Sequence, residues 1–122
     1  MNSINVIGRL TQDPELRALP SGKTVCRIRL AVKGMGRGGV DEPGYINVST
    51  FGEPGEAAAR TLTKGWLVGA YGKLQYGEWE NDQGDRRHDH EIVGNVQFLA
   101  APRSNGEVSA DADTPVEEAI AF

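Results

Sequence analysis

The sequence predicts an all-β domain, a five-stranded Greek-key barrel with one short helix between its third and fourth strands. Three observations carry this. Several stretches alternate apolar and polar residues with period two, the mark of strands with one buried face and one face in water. Turn-forming residues separate these stretches at short intervals. One Ala-rich segment, after the third stretch, has helix start and stop signals. With 122 residues, 39% of them hydrophobic, the chain has room for one small core and a tail.

Taken in order, residues 3–10 (S-I-N-V-I-G-R-L) alternate through Ile4 and Val6 and form the first strand. The loop T-Q-D-P-E-L-R-A-L-P-S-G-K follows, rich in turn formers. Residues 25–34, V-C-R-I-R-L-A-V-K-G, form the second strand. Here Cys26, Ile28, Leu30 and Val32 point one way while Arg27, Arg29 and Lys33 point the other. That basic face fits a solvated outer face, since Lys and Arg on an edge discourage aggregation, or one side of a polyanion site. Residues 34–44, with five glycines in eleven positions, read as a mobile connection.

Y-I-N-V-S-T-F-G, from Tyr45 to Gly52, is the third strand. Its core face is expected to be Ile46, Val48 and Thr50, which places Tyr45, Asn47, Ser49 and Phe51 on the outer face. Residues 53–65 are expected to be the only helix, with Pro54 near its start, Lys64 in its last turn and Gly65 as the stop. Residues 66–74 are the fourth strand, 75–88 a polar hairpin wing and 89–99 the fifth strand. Three strands, a helix and two strands is the pattern of the OB-fold barrel, whose face and loops commonly hold oligonucleotides or oligosaccharides.

Charge divides the chain. Residues 1–103 hold all 13 Lys and Arg against 12 of the 17 acids, while 104–122 hold Glu107, Asp111, Asp113, Glu117 and Glu118 and no base. The overall net charge of −4 is therefore the sum of a nearly neutral body and a strongly acidic tail. The body, 1–103, is read as the OB-fold domain. The tail is small, polar and without apolar period, so it is expected to be disordered, with Ile120 and Phe122 stranded at its end.

Several function classes fit poorly. No apolar run approaches 20 residues, and the N-terminal stretch lacks the basic-then-apolar pattern of a signal peptide, so a soluble cytoplasmic protein away from membranes is expected. Cys26 is the single cysteine and lies on the apolar face, where packing explains it better than reactivity. His88 and His90, with Asp89, leave too few ligands for a closed zinc tetrahedron, so no metal or other cofactor is expected. G-M-G-R-G-G lacks Gly-Lys-Ser/Thr and precedes a strand, unlike a phosphate-cradling loop. No paired nucleophile and base is evident, and catalysis is not expected.

What remains is a basic strand face beside exposed aromatic residues. Tyr45 and Phe51 face water from the third strand; Trp79 lies in the polar wing, with Tyr76 three residues before it. Single-stranded nucleic acid offers base faces that stack on such rings at about 1 to 3 kcal/mol each, and phosphates that Arg and Lys neutralise. Duplex reading would want a recognition helix or a β-ribbon carrying base-edge donors, and the one helix carries only Arg60 and Lys64. An OB-fold adaptor whose groove takes protein is the other reading, and the salt dependence of binding separates the two.

The ordered series N-V-I-G-R-L-T-Q-D-P-E-L-R, V-C-R-I-R-L-A-V, N-V-S-T-F-G, T-L-T-K-G, V-G-A-Y-G-K-L and G-E-W-E-N-D-Q-G-D-R-R resembles the bacterial single-stranded DNA-binding proteins over residues 2–99. The resemblance implies a non-catalytic OB-fold homotetramer, a dimer of dimers, that binds single-stranded DNA without sequence preference in replication, recombination and repair. It puts Tyr45 where the family usually has a base-stacking Trp, Phe51 on its stacking Phe, Trp79 on the stacking Trp of the wing, and Lys64 and Arg87 on basic positions. With the residue-level reading, the expected stacking set is Tyr45, Phe51, Trp79 and Tyr76. The expected phosphate set is Arg27, Arg29, Lys33, Arg37, Lys64, Lys73, Arg86 and Arg87.

There are departures. Met35 or Gly36 stands where the family often has a further Trp; Glu53, Gln75, Gly77 and Glu78 stand at positions that are often basic. Ile46 replaces a residue, usually His, that lies between subunits. Family members typically end in a long linker and an acidic tip that docks on replication and repair enzymes. Here E-E-A-I-A-F follows with hardly any linker, so Glu117, Glu118, Ile120 and Phe122 are the candidate docking residues. A tip this short is similar to those of secondary paralogues and of phage or plasmid versions.

Overall fold

The computed structural model describes residues 1–102. Its strands are β1 (Ile4–Leu10), β2 (Glu15–Ala18), β3 (Thr24–Lys33), β4 (Pro43–Phe51), β5 (Leu67–Glu80) and β6 (Arg86–Ala100), with α1 (Gly52–Thr61) between β4 and β5. The sheet runs β1-β5-β6-β4-β3-β2, and β1 also pairs with β3 through Arg9 and Leu10. That last pairing closes a ring of five strands, β1, β5, β6, β4 and β3, which is the OB-fold barrel. All neighbours are antiparallel except β4 and β6, which run parallel over Asn47–Ser49 and Glu91–Val93. The predicted acidic tail, with its candidate docking residues, and Arg103 lie outside the described residues.

Period-two alternation sets which side chains enter the ring. Cys26, Ile28, Leu30 and Val32 of β3, Ile46, Val48 and Thr50 of β4 and Ile92 of β6 are buried, as the alternation requires. Leu10, Val68, Ala70, Ala58 and Leu62 complete this core, the last two contributed by α1 and its C-cap at one end of the barrel. The approach of α1 is close. A Cβ on Gly55 would stand 2.2 Å from the Thr50 carbonyl oxygen and 3.2 Å from Cys26 Cβ, so only glycine fits there. The Thr24 hydroxyl ties the same helix to β3 by donating to Glu56 at 2.8 Å.

Four details differ from the sequence expectation. β2 is a sixth strand, hydrogen-bonded along the edge of β3 with all four residues exposed; lacking a buried face, it has no apolar alternation to reveal it. The helix ends at Thr61, because Leu62 adopts an extended conformation and turns into the core, so Lys64 lies beyond the last turn, where Arg60 stands instead. The glycine-rich connection is folded by its own main chain, with the Gly34 and Gly36 N–H groups both donating to the Glu42 carbonyl. The wing is no loop. β5 and β6 continue through it as a two-stranded ribbon out to Glu80 and Arg86, closed by Asn81, whose Oδ1 accepts from the Gln83 and Asp85 N–H groups.

Cys26 is fully buried, and burial pushes its thiol up from its ordinary value. A thiol-reactive dye is therefore expected to leave the folded protein unlabelled and to modify one cysteine per chain in denaturant. Labelling under native conditions at the rate of the denatured chain would contradict this placement.

Candidate nucleic-acid interface

Four strands present one continuous outer face. Register places Arg29, Asn47, Glu91 and Gln75 in one row across β3, β4, β6 and β5, and Arg27, Ser49, Val93 and Lys73 in the next. Directly paired residues share a face. Cations thus flank this surface on both sides, from β3 and from β5. The face continues along β4 to Tyr45 at one end and Phe51 at the other, 52% and 45% exposed. Those rings are six residues apart, roughly 20 Å at the rise of an extended strand.

Beyond Lys73 the same face runs out along the ribbon to Trp79, paired with Arg87 and 49% exposed. Tyr76 does not share it. Its partner is His90, and its ring lies 4.9 Å from that of His90 and 5.8 Å from that of His88, all on the opposite face of the ribbon. Arg86 also belongs there: its Nε donates to Glu78 at 2.9 Å. The Tyr76 hydroxyl donates to the same carboxylate, holding Glu78 below the usual carboxylate range and pushing Tyr76 above its own ordinary value.

The sequence-predicted set therefore divides. Arg27, Arg29, Lys73, Arg87, Tyr45, Phe51 and Trp79 lie on one face, with Lys33 at the exposed end of β3 and Arg37 in the connection that follows. Tyr76 and Arg86 turn away. Lys64 sits in the loop after α1, where its N–H donates to Asp13 at 2.8 Å, outside the strand registers that define the face. Ile46, where the resemblance places an intersubunit residue, is buried.

Two contacts organise the face. The Arg29 guanidinium carbon lies 4.4 Å from the centre of the Tyr45 ring, so a cation covers part of that aromatic surface. Glu91 lies between β4 and β6. Its Oε2 accepts the Ser49 hydroxyl at 2.8 Å and stands 3.6 Å from an Arg27 nitrogen. Ser49, expected to face water, is only 4% exposed because Glu91 covers it. Glu91 itself was not among the predicted site residues; an acid at an outward position of the last strand was the available signal. Among the described residues no three of His, Cys, Asp and Glu gather closely enough to hold a metal ion, and no helix is long and apolar enough to cross a membrane.

An extended face with separated aromatic rings and cations along both sides suits a flexible polyanion carrying flat rings. Comparison with known proteins bears on the same region. The model of the single-strand binding protein family matches residues 1–99, the whole barrel and its ribbon. The chain belongs to that family. It is 34% identical to Single-stranded DNA-binding protein 2 of Clostridium acetobutylicum over 98% of this chain and 92% of that protein. It is 38% identical to Single-stranded DNA-binding protein A of Bacillus subtilis, over 89% of this chain but 65% of the relative's length. A Single-stranded DNA-binding protein of Staphylococcus aureus is also 38% identical, with 69% of it covered.

Proposed function

We propose that the chain binds single-stranded DNA without sequence preference and protects it during replication, recombination and repair. The observation that carries this is the shared face: Tyr45, Phe51 and Trp79 exposed along a track bordered by Arg29, Lys73 and Arg87. Bases unstacked from a duplex lie on the rings, and phosphates meet the cations. The process is passive, since occupancy alone keeps the strand from re-pairing or being cut. The names of the relatives support the same ligand.

The proposal includes a homotetramer, a dimer of dimers, in the cytoplasm. Ile7 and Tyr71 share an outer face of β1 and β5 and are 37% and 47% exposed, an apolar surface suited to a second copy. Glu117, Glu118, Ile120 and Phe122 are proposed to dock replication or repair enzymes, an acidic and apolar tip meeting a basic pocket. The test is oligo-dT affinity measured across a salt series, with duplex of equal length as competitor. Binding through Z phosphates is expected to give log K against log[salt] a slope near −0.7Z, with duplex competing weakly. Salt-independent binding, or equal competition by duplex, would overturn the proposal in favour of a protein-binding groove or a duplex binder.

A further inference from the structure

We infer that Glu91 is a specificity-determining residue, an anion held at the centre of the DNA face that takes Arg27 out of phosphate binding and leaves the face dependent on stacking. This rests on the single-strand reading above. Register puts Glu91 in one row with Arg29, Asn47 and Gln75, one step from the row of Arg27, Ser49 and Lys73. The carboxylate is fixed rather than free to swing aside. Ser49, itself buried, donates to its Oε2 at 2.8 Å, and the Arg27 guanidinium stands 3.6 Å from the same oxygen. A phosphate approaching Arg27 has to displace that carboxylate or lie beside it, and like charges in contact oppose each other.

The consequence is selective. Duplex DNA is held by phosphate contacts and hides its base faces, so an anion in the face weakens duplex and single strand alike at the phosphate level. Only a single strand recovers affinity by stacking on Tyr45, Phe51 and Trp79. Glu91 therefore raises the preference for single strands by lowering the electrostatic share of binding. Arg27 differs accordingly from Lys73, across the face in the same row, for which no acid stands in the paired position.

Glu91→Gln keeps an acceptor for the Ser49 hydroxyl and removes the charge. It is expected to tighten oligo-dT binding at low salt about three- to thirtyfold, to steepen the log–log salt slope by about 0.7 as one further phosphate is engaged, and to shrink the preference over duplex. Arg27→Gln in the wild-type background is expected to leave the slope unchanged, whereas Lys73→Gln lowers it by about 0.7. Glu91→Gln combined with Arg27→Gln should return the slope to the wild-type value. A wild-type protein that binds oligo-dT, with Glu91→Gln unchanged or shallower in slope, would overturn this inference alone. Loss of about 0.7 in slope on Arg27→Gln would do the same, without requiring the Glu91 variant to fold. A wild-type protein that binds no oligo-dT would remove the single-strand reading itself.

Discussion

Replacing Trp79 by alanine is expected to weaken oligo-dT binding by about 1 to 3 kcal/mol, roughly five- to 150-fold in Kd, with the thermal midpoint unchanged. Trp79 projects from the ribbon, well away from the ring of buried side chains, and half its surface is open to solvent. Its loss removes a stacking platform and leaves no cavity. Tyr76→Ala provides the contrast. Tyr76 is as exposed as Trp79 but faces the other way, toward His88 and His90, so its removal should change affinity far less in the same titration. Equal losses for the two variants would mean that the strand engages both faces of the ribbon.

Gly94→Ala is expected to destabilise the barrel by about 1 to 3 kcal/mol, the range for overpacking a close-packed site. Gly94 is paired with Gly72 where β5 and β6 cross, just before the two strands leave the barrel as the ribbon. A Cβ there would lie 2.0 Å from the Tyr71 carbonyl oxygen and 2.7 Å from the Gly72 Cα, both main-chain atoms that no rotamer change moves. The melting midpoint followed by circular dichroism should fall by roughly 4 to 8 °C for each kcal/mol lost, at fixed protein concentration. Gly77→Ala, farther along the same ribbon, meets no atom closer than 3.8 Å and should leave the midpoint in place. An unchanged midpoint for Gly94→Ala would contradict the close approach of the two strands.

These two sites illustrate what a sequence carries and what it does not. The alternation of β3 and β4 is legible because each has one face in the core, so Ile28, Leu30, Ile46 and Val48 are buried where the pattern puts them. The ribbon and β2 carry no such signal, having no buried face, and they read as loops. Tyr76 and Trp79 are three residues apart, an odd spacing that sends them to opposite faces once the segment is a strand. Read as a loop, the same segment gave no reason to separate them.

The charges divide in the same way. That Arg27 and Arg29 share an outer face follows from their spacing, and the structure places them there. That Arg27 meets Glu91 depends on β6 lying parallel to β4, a pairing between residues 42 positions apart that local patterns cannot specify. Arg86 and Arg87, adjacent in sequence, point to opposite sides of the ribbon, one toward Glu78 and the other beside Trp79. The list of candidate cations was legible; which of them share a surface required the register.

The most direct test of the central claim is titration with oligo-dT, following tryptophan fluorescence at low and moderate salt. Of the two tryptophans, Trp66 packs edge-on against Phe98 with ring centres 6.0 Å apart, partly buried, while Trp79 stands exposed on the DNA face. The account predicts strong quenching with submicromolar affinity that weakens as salt rises, and loss of that quenching in Trp79→Phe. Absence of both quenching and binding in the wild-type protein would contradict it.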